Sequence, residues 1–182
     1  WENQLQWIMS PHKGWGVAGS TGEGFETTDY LLNPVDSNGE AYATDVQQGL
    51  VEGDGFEWNW GQHAPLVMPS GQVLLYDNGL KRHFGTYSPE YSRAVAFEID
   101  SVNREVSQAW VYGPEEYGQP FYSSAISDVD LMPTTQNLLI CPGKTLDLTA
   151  SFMEVTYPEK ELVFEALLEF KPQNTSQNGW GW

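Results

Sequence analysis

The sequence has one cysteine, Cys141, in 182 residues. A single thiol excludes an internal disulfide and any zinc site built on paired cysteines. At a strand end, Cys141 reads as a small, buried apolar residue. Basic residues are equally scarce: 8 Lys and Arg stand against 25 Asp and Glu, for a net charge of −17. Nucleic-acid binding needs Lys and Arg in number at the phosphates, so this surface disfavours it and no nucleic-acid partner is expected. No apolar run approaches the ~20 residues of a membrane-spanning helix. The chain carries no G-x-S-x-G, no phosphate-binding P-loop and no H-E-x-x-H, and no cofactor is expected.

Aromatic, turn and acidic residues are abundant. Eight Trp, nine Tyr and eight Phe accompany 18 Gly and 11 Pro. This mix suits one all-β domain with many turns. One phrase occurs twice. Residues 68–79 read M-P-S-G-Q-V-L-L-Y-D-N-G, and 132–143 read M-P-T-T-Q-N-L-L-I-C-P-G. Met68, Pro69, Gln72, Leu74, Leu75 and Gly79 recur as Met132, Pro133, Gln136, Leu138, Leu139 and Gly143, each 64 positions on. A long fixed period of short strands indicates an array of β units.

Extending the phrase gives two sets of four strands. The first is His63–Met68, Gln72–Tyr76, Arg93–Asp100 and Glu105–Tyr112. The second is Ser127–Met132, Asn137–Cys141, Ala150–Thr156 and Glu161–Phe170. Four-stranded antiparallel units around an axis are propeller blades. The fold expected is therefore all-β, a partial β-propeller with blades at 61–113 and 122–170. Leu5–Ser10, within 1–11, reads as the outer strand of a preceding blade. Residues 12–60 read as a long connection, and 171–182 as the start of the next. Two blades cannot close a ring that needs ~4–8. The chain thus reads as part of a longer one, with exposed edges that favour self-association.

Three histidines are present: His12, His63 and His83. His63 starts the innermost strand of a blade, where strand ends meet a central channel, and Gln62 adds a polar group beside it. A capped histidine at a strand end is the alternative. Lys81-Arg82-His83 is the densest basic cluster and follows the Asp77-Asn78-Gly79 turn. A guanidinium there suits sulfate, phosphate or carboxylate. Solvated basic residues on an ordinary turn are the alternative. Asp128 and Asp130 alternate onto one face, too few ligands for calcium. Asn174-Thr175-Ser176 matches the N-glycosylation pattern, which is common by chance.

Five strings in series carry a resemblance. F-E-W-N-W-G-Q-H-A-P (56–65), L-L-Y-D-N-G-x-x-R (74–82), Y-S-R-A-V-A-F-E-I-D (91–100), V-S-Q-A-W-V-Y-G (106–113) and Y-S-S-A-I-S-D-V-D (122–130) resemble the bacterial arylsulfate sulfotransferases. The opening W-I-M-S-P-H-K-G-W (7–15) is similar too. The resemblance implies a six-bladed propeller, periplasmic or secreted. It also implies sulfuryl transfer from a phenolic sulfate ester to a phenol through a sulfohistidine. By motif, His63 and Arg82 match catalytic residues of the channel, and Gln62, Asn78, Lys81 and His83 would flank the substrate. The attacking histidine, as the motifs align, would lie beyond Trp182. The implied partners are a small aryl sulfate and a phenol. A non-catalytic propeller module and a sugar- or quinone-linked propeller oxidoreductase are the competing readings.

Overall fold

The computed structural model describes residues 4–18, 24–86, 90–117, 122–143 and 149–169. The Asn174-Thr175-Ser176 motif and the 171–182 segment lie outside them. Among the described residues the fold is all-β. Its strands are β1 (Asn33–Pro34), β2 (Gln62–Val67), β3 (Val73–Asp77), β4 (Arg93–Asp100), β5 (Glu105–Tyr112), β6 (Asp128–Leu131), β7 (Leu138–Cys141), β8 (Thr149–Val155) and β9 (Leu162–Glu169). Helical structure amounts to single turns such as Thr44–Gln47 and Pro114–Tyr117. None is long and apolar enough to cross a membrane.

The chain divides into two compact units. The smaller comprises residues 1–58 and 97–108. Ile8 forms an isolated parallel bridge with Leu31, and β1 pairs in parallel with the start of β5, Asn33 opposite Glu105. Leu31, Leu32, Val35, Val46, Phe56, Trp58, Phe97 and Val106 are among its buried apolar residues. Phe56 meets Trp58 edge to face at 5.1 Å, and the Trp58 indole N–H donates to Val46 O at 2.9 Å. Much of the long connection read from sequence is therefore packed, with aromatic rings in place of a regular period.

The strands pair in two sheets, in the orders β1-β5-β4-β3-β2 and β6-β7-β8-β9. One apolar core lies between them. Met68, Leu74, Tyr76, Ala94, Ala96, Trp110 and Tyr112 come from the first sheet, and Val129, Leu138, Ile140, Met153 and Val155 from the second. Polar contacts close its rim: Trp110 Nε1 donates to Pro158 O at 3.0 Å, and Tyr157 Oη to Gln72 Oε1 at 2.7 Å.

The hydrogen bonds correct the internal repeat by one residue. In the first hairpin Met68 N donates to Gln72 O, and Gly71 N to Met68 O. In the second, Met132 N donates to Asn137 O, and Gln136 N to Met132 O. The second turn is thus one residue longer. Val67 pairs with Val73, and Leu131 with Leu138. Up to the turn the offset is 64; after it, 65. Leu74 corresponds to Leu139 and not to Leu138. A slip of one residue moves a side chain to the opposite face, so the matching Leu-Leu pairs do not occupy matching environments.

The repeated glycines are likewise needed for separate reasons. At Gly79, with φ +76°, a Cβ would sit 1.9 Å from Tyr91 O. At Gly143 it would sit 1.4 Å from Ile126 O. Gly71 also has positive φ, at +93°, but faces open space. Alanine at Gly79 or Gly143 should lower unfolding free energy by about 2–4 kcal/mol through overpacking. Gly71→Ala should cost only the ~1–2 kcal/mol of a left-handed residue. Urea denaturation of the three variants checks this ranking.

Candidate functional site

The site grows from the end of β3, where an apolar run meets Asp77 and Asn78. Both side chains are buried completely. An isolated carboxylate in that position would be very unfavourable. Asp77 is instead saturated by four donors. Its Oδ1 accepts from Trp60 N at 2.7 Å and Gly79 N at 3.0 Å. Its Oδ2 accepts from Arg82 Nη2 at 3.1 Å and Arg93 Nε at 3.0 Å. Trp60 O in turn accepts from Gly79 N and Leu80 N, at 2.7 and 3.0 Å. The carboxylate therefore clamps the turn after β3 to the segment entering β2.

Arg82 is wholly buried in this cluster. Its Nη2 also donates to Tyr91 O at 3.0 Å, and Cζ lies 4.0 Å from the centre of the Tyr91 ring, a cation–π geometry. The surrounding backbone is strained. Lys81, His83 and Phe84 have φ of +55°, +50° and +59°, left-handed values that side-chain-bearing residues rarely adopt. Trp60 packs against both His83 and Phe84, with ring centroids at 5.7 and 5.1 Å. That packing helps hold the strained turn.

Asn78 is the second hub. Its Nδ2 donates to Ser123 O at 2.5 Å and Ser127 Oγ at 2.9 Å. Its backbone carbonyl accepts from Ser92 Oγ at 2.8 Å. Ser123 N donates to Ser92 Oγ at 2.8 Å, and Gly143 N to Ser127 Oγ at 3.0 Å. These bonds tie the end of β3 to the segment leading into β6. On its remaining side, Asn78 Oδ1 lies 2.6 Å from His63 Nδ1. Gly61 O lies 3.3 Å from the same nitrogen.

His63 owes its orientation to an irregular edge strand. The β2–β3 register shifts between His63 and Leu66, with Ala64 at φ +50°. Such a bulge re-aims the side chains around it. Pro65 follows, which an edge position allows because no ladder N–H is required. The imidazole is half-buried.

The other candidates from the sequence fall around this core. Gln62 is exposed, and its Oε1 accepts from Asn59 Nδ2 at 2.9 Å. Lys81 is exposed, and its backbone N–H donates to Glu90 Oε1 at 2.7 Å. His83 is buried against Trp60. His63 and Asn78 are in contact, whereas Arg82 is connected to them through Asp77. Asp77, Ser92, Arg93, Ser123 and Ser127 did not stand out in the sequence. Their one signal was polar residues abutting apolar runs, as in L-L-Y-D-N and Y-S-R-A-V.

Asp128 and Asp130 are exposed on one face of β6. Burial and the Asp130 charge hold the Asp128 carboxyl above its ordinary value. Among the described residues, no three His, Cys, Asp or Glu side chains converge as a metal site. Cys141, opposite Asp128, is half-buried rather than fully enclosed. Burial, with the nearby Asp128 and Asp130, pushes its thiol up to about 11. Burial and a hydrogen bond to Glu90 push the Tyr122 phenol up to about 12.

Comparison with known proteins bears on this geometry. A model of the arylsulfotransferase (ASST) family matches residues 2–178. The chain is 30% identical over 185 residues to the arylsulfate sulfotransferase AssT of Escherichia coli O6:H1, covering 96% of this chain and 29% of that protein. It is 31% identical to the protein of the same name from Lelliottia amnigena, with the same coverages. The chain thus spans less than a third of the length of these curated relatives.

Two outcomes follow. Asp77→Ala leaves two buried guanidiniums without their shared carboxylate and should cost about 3–5 kcal/mol in denaturant melts. Cys141 should alkylate slowly at pH 8 in the folded protein, because little thiolate forms below about 11. Its rate should rise on unfolding, as measured with iodoacetamide.

Proposed function

This chain belongs to the arylsulfotransferase family, and on that premise we propose that it forms part of an aryl sulfate sulfotransferase. The reaction is transfer of a sulfuryl group from a phenolic sulfate ester to a phenol, through a sulfohistidine. A neutral imidazole can both attack sulfur and leave in the second transfer. His63 meets the phenolic oxygen. The observation that carries this role is its attachment: the ring is held at Nδ1 on a bulged edge strand, which leaves Nε2 for a ligand.

Arg82 contributes charge in this reading. Two guanidiniums, Arg82 and Arg93, gather at Asp77 and concentrate positive charge there. A chain of net charge −17 repels an anion at long range and needs such local positive charge. Asn78 supports His63. Gln62, Lys81 and His83 flank the site, with Gln62 and Lys81 on its exposed side.

The proposed architecture is a β-propeller in which the two sheets are neighbouring blades. The corrected repeat supports it. Leu74 lies in the core between the sheets. Its counterpart Leu139 shares a face with Glu154 and Phe164, and Ala150 and Leu168 extend that face. Phe164 and Leu168 are 52% and 49% exposed. A third sheet packed there would bury them as the second sheet buries Leu74. The proposed compartment, periplasmic or secreted, rests on family resemblance.

Residues 1–182 alone should not transfer sulfuryl from 4-nitrophenyl sulfate to phenol. His63→Ala in the intact protein should lower turnover by about 10²–10³, the typical loss for one transition-state hydrogen-bonding group. Turnover by the isolated chain, abolished by His63→Ala, would make His63 itself the nucleophile and overturn the assignment.

A further inference from the structure

We propose that Asn78 is a positioning residue that holds neutral His63 in the Nδ1–H tautomer and so presents Nε2 as a hydrogen-bond acceptor. The argument uses the fixed donor and acceptor roles of each group. Ser123 O is a backbone carbonyl and only accepts. The atom of the Asn78 amide 2.5 Å from it must therefore be the NH₂ nitrogen. The same nitrogen reaches Ser127 Oγ at 2.9 Å. This settles the amide orientation, which the shape of the side chain alone leaves open. The amide oxygen then faces His63 Nδ1 at 2.6 Å, and an amide oxygen also only accepts. Gly61 O, another pure acceptor, approaches Nδ1 from 3.3 Å. Two acceptors converge on one ring nitrogen, so that nitrogen carries the proton. In the neutral ring, Nε2 then carries the lone pair.

The burial of Asn78 makes this arrangement rigid. The side chain is wholly enclosed, and its backbone carbonyl is held by Ser92 Oγ at 2.8 Å. Turning the amide over would set its oxygen against Ser123 O, two acceptors with no proton between them. The consequence concerns ligand chemistry. A neutral His63 cannot donate from Nε2 to a sulfuryl oxygen; it accepts from a phenolic hydroxyl. Only a protonated ring could hold an anionic oxygen there. This assignment of Nε2 to the phenol rests on the function proposed above, whereas the tautomer does not.

The test is ¹⁵N NMR of the intact protein labelled at histidine, at about pH 8.5, where ordinary imidazoles are neutral. His63 should show a pyrrole-type Nδ1 and a pyridine-type Nε2. In Asn78→Ala, with folding checked by far-UV circular dichroism, it should become a mixture of both tautomers. Asn78→Asp keeps an acceptor opposite Nδ1 and should retain the Nδ1–H form. If either variant fails to fold, the wild-type spectrum still decides. A pyrrole-type Nε2 in the wild type, or an unchanged spectrum in folded Asn78→Ala, overturns the proposal. The spectrum needs no turnover. Absence of sulfuryl transfer would therefore refute the proposed function and leave the tautomer standing.

Discussion

The site depends on one buried carboxylate. Asp77 lies at the end of an apolar strand, where its charge must be met in full. It is met by two backbone N–H groups and two guanidiniums. Removing charges from water costs several kcal/mol per ion, and only near-complete hydrogen bonding offsets it. The geometry that achieves this also dictates the path of the chain. Trp60 is brought to the strand end, Gly79 is forced into a left-handed turn, and Asn78 is delivered to its buried seat. The orientation of His63 is thus a consequence of how Asp77 is neutralised.

A second constraint acts at the edge of the sheet. β2 has a bulge at Ala64 and a proline beside it, features that weaken a strand as a ladder partner. They leave His63 at a place where the regular alternation of side chains is broken. The Ser92–Ser123–Ser127 network then closes the rear of the site with polar groups that satisfy one another. Buried polar networks are stable only when their members are paired. This one links two sheets whose apolar contact is not directional, and so gives their docking a definite register.

The strands were largely legible because alternation and turn residues are local signals. β4 and β5 begin and end where the pattern places them, and the other strands of the two sheets differ by a residue or two. The one-residue lengthening of the second hairpin was hidden: six identities at a constant spacing argue for equal turns, and only the hydrogen bonds reveal the difference. The place of His63 near the start of a strand was legible. Asp77 was not, because Asp-Asn-Gly is ordinary turn chemistry and its second role depends on Arg93 and Trp60 arriving from elsewhere. Ser123 and Ser127 meet Asn78 across 45 and 49 residues of chain, a range at which no local pattern speaks. The packing of the smaller unit was illegible for a related reason, since tilted and edge-on rings leave no period.

The most direct measurement is a crystal structure of the intact protein with a bound phenol. The account predicts the phenolic oxygen within hydrogen-bonding distance of His63 Nε2, with Arg82 and Arg93 still on Asp77 and Asn78 still on Nδ1. A ligand bound away from His63, or a His63 ring turned so that Nε2 meets Asn78, would contradict it.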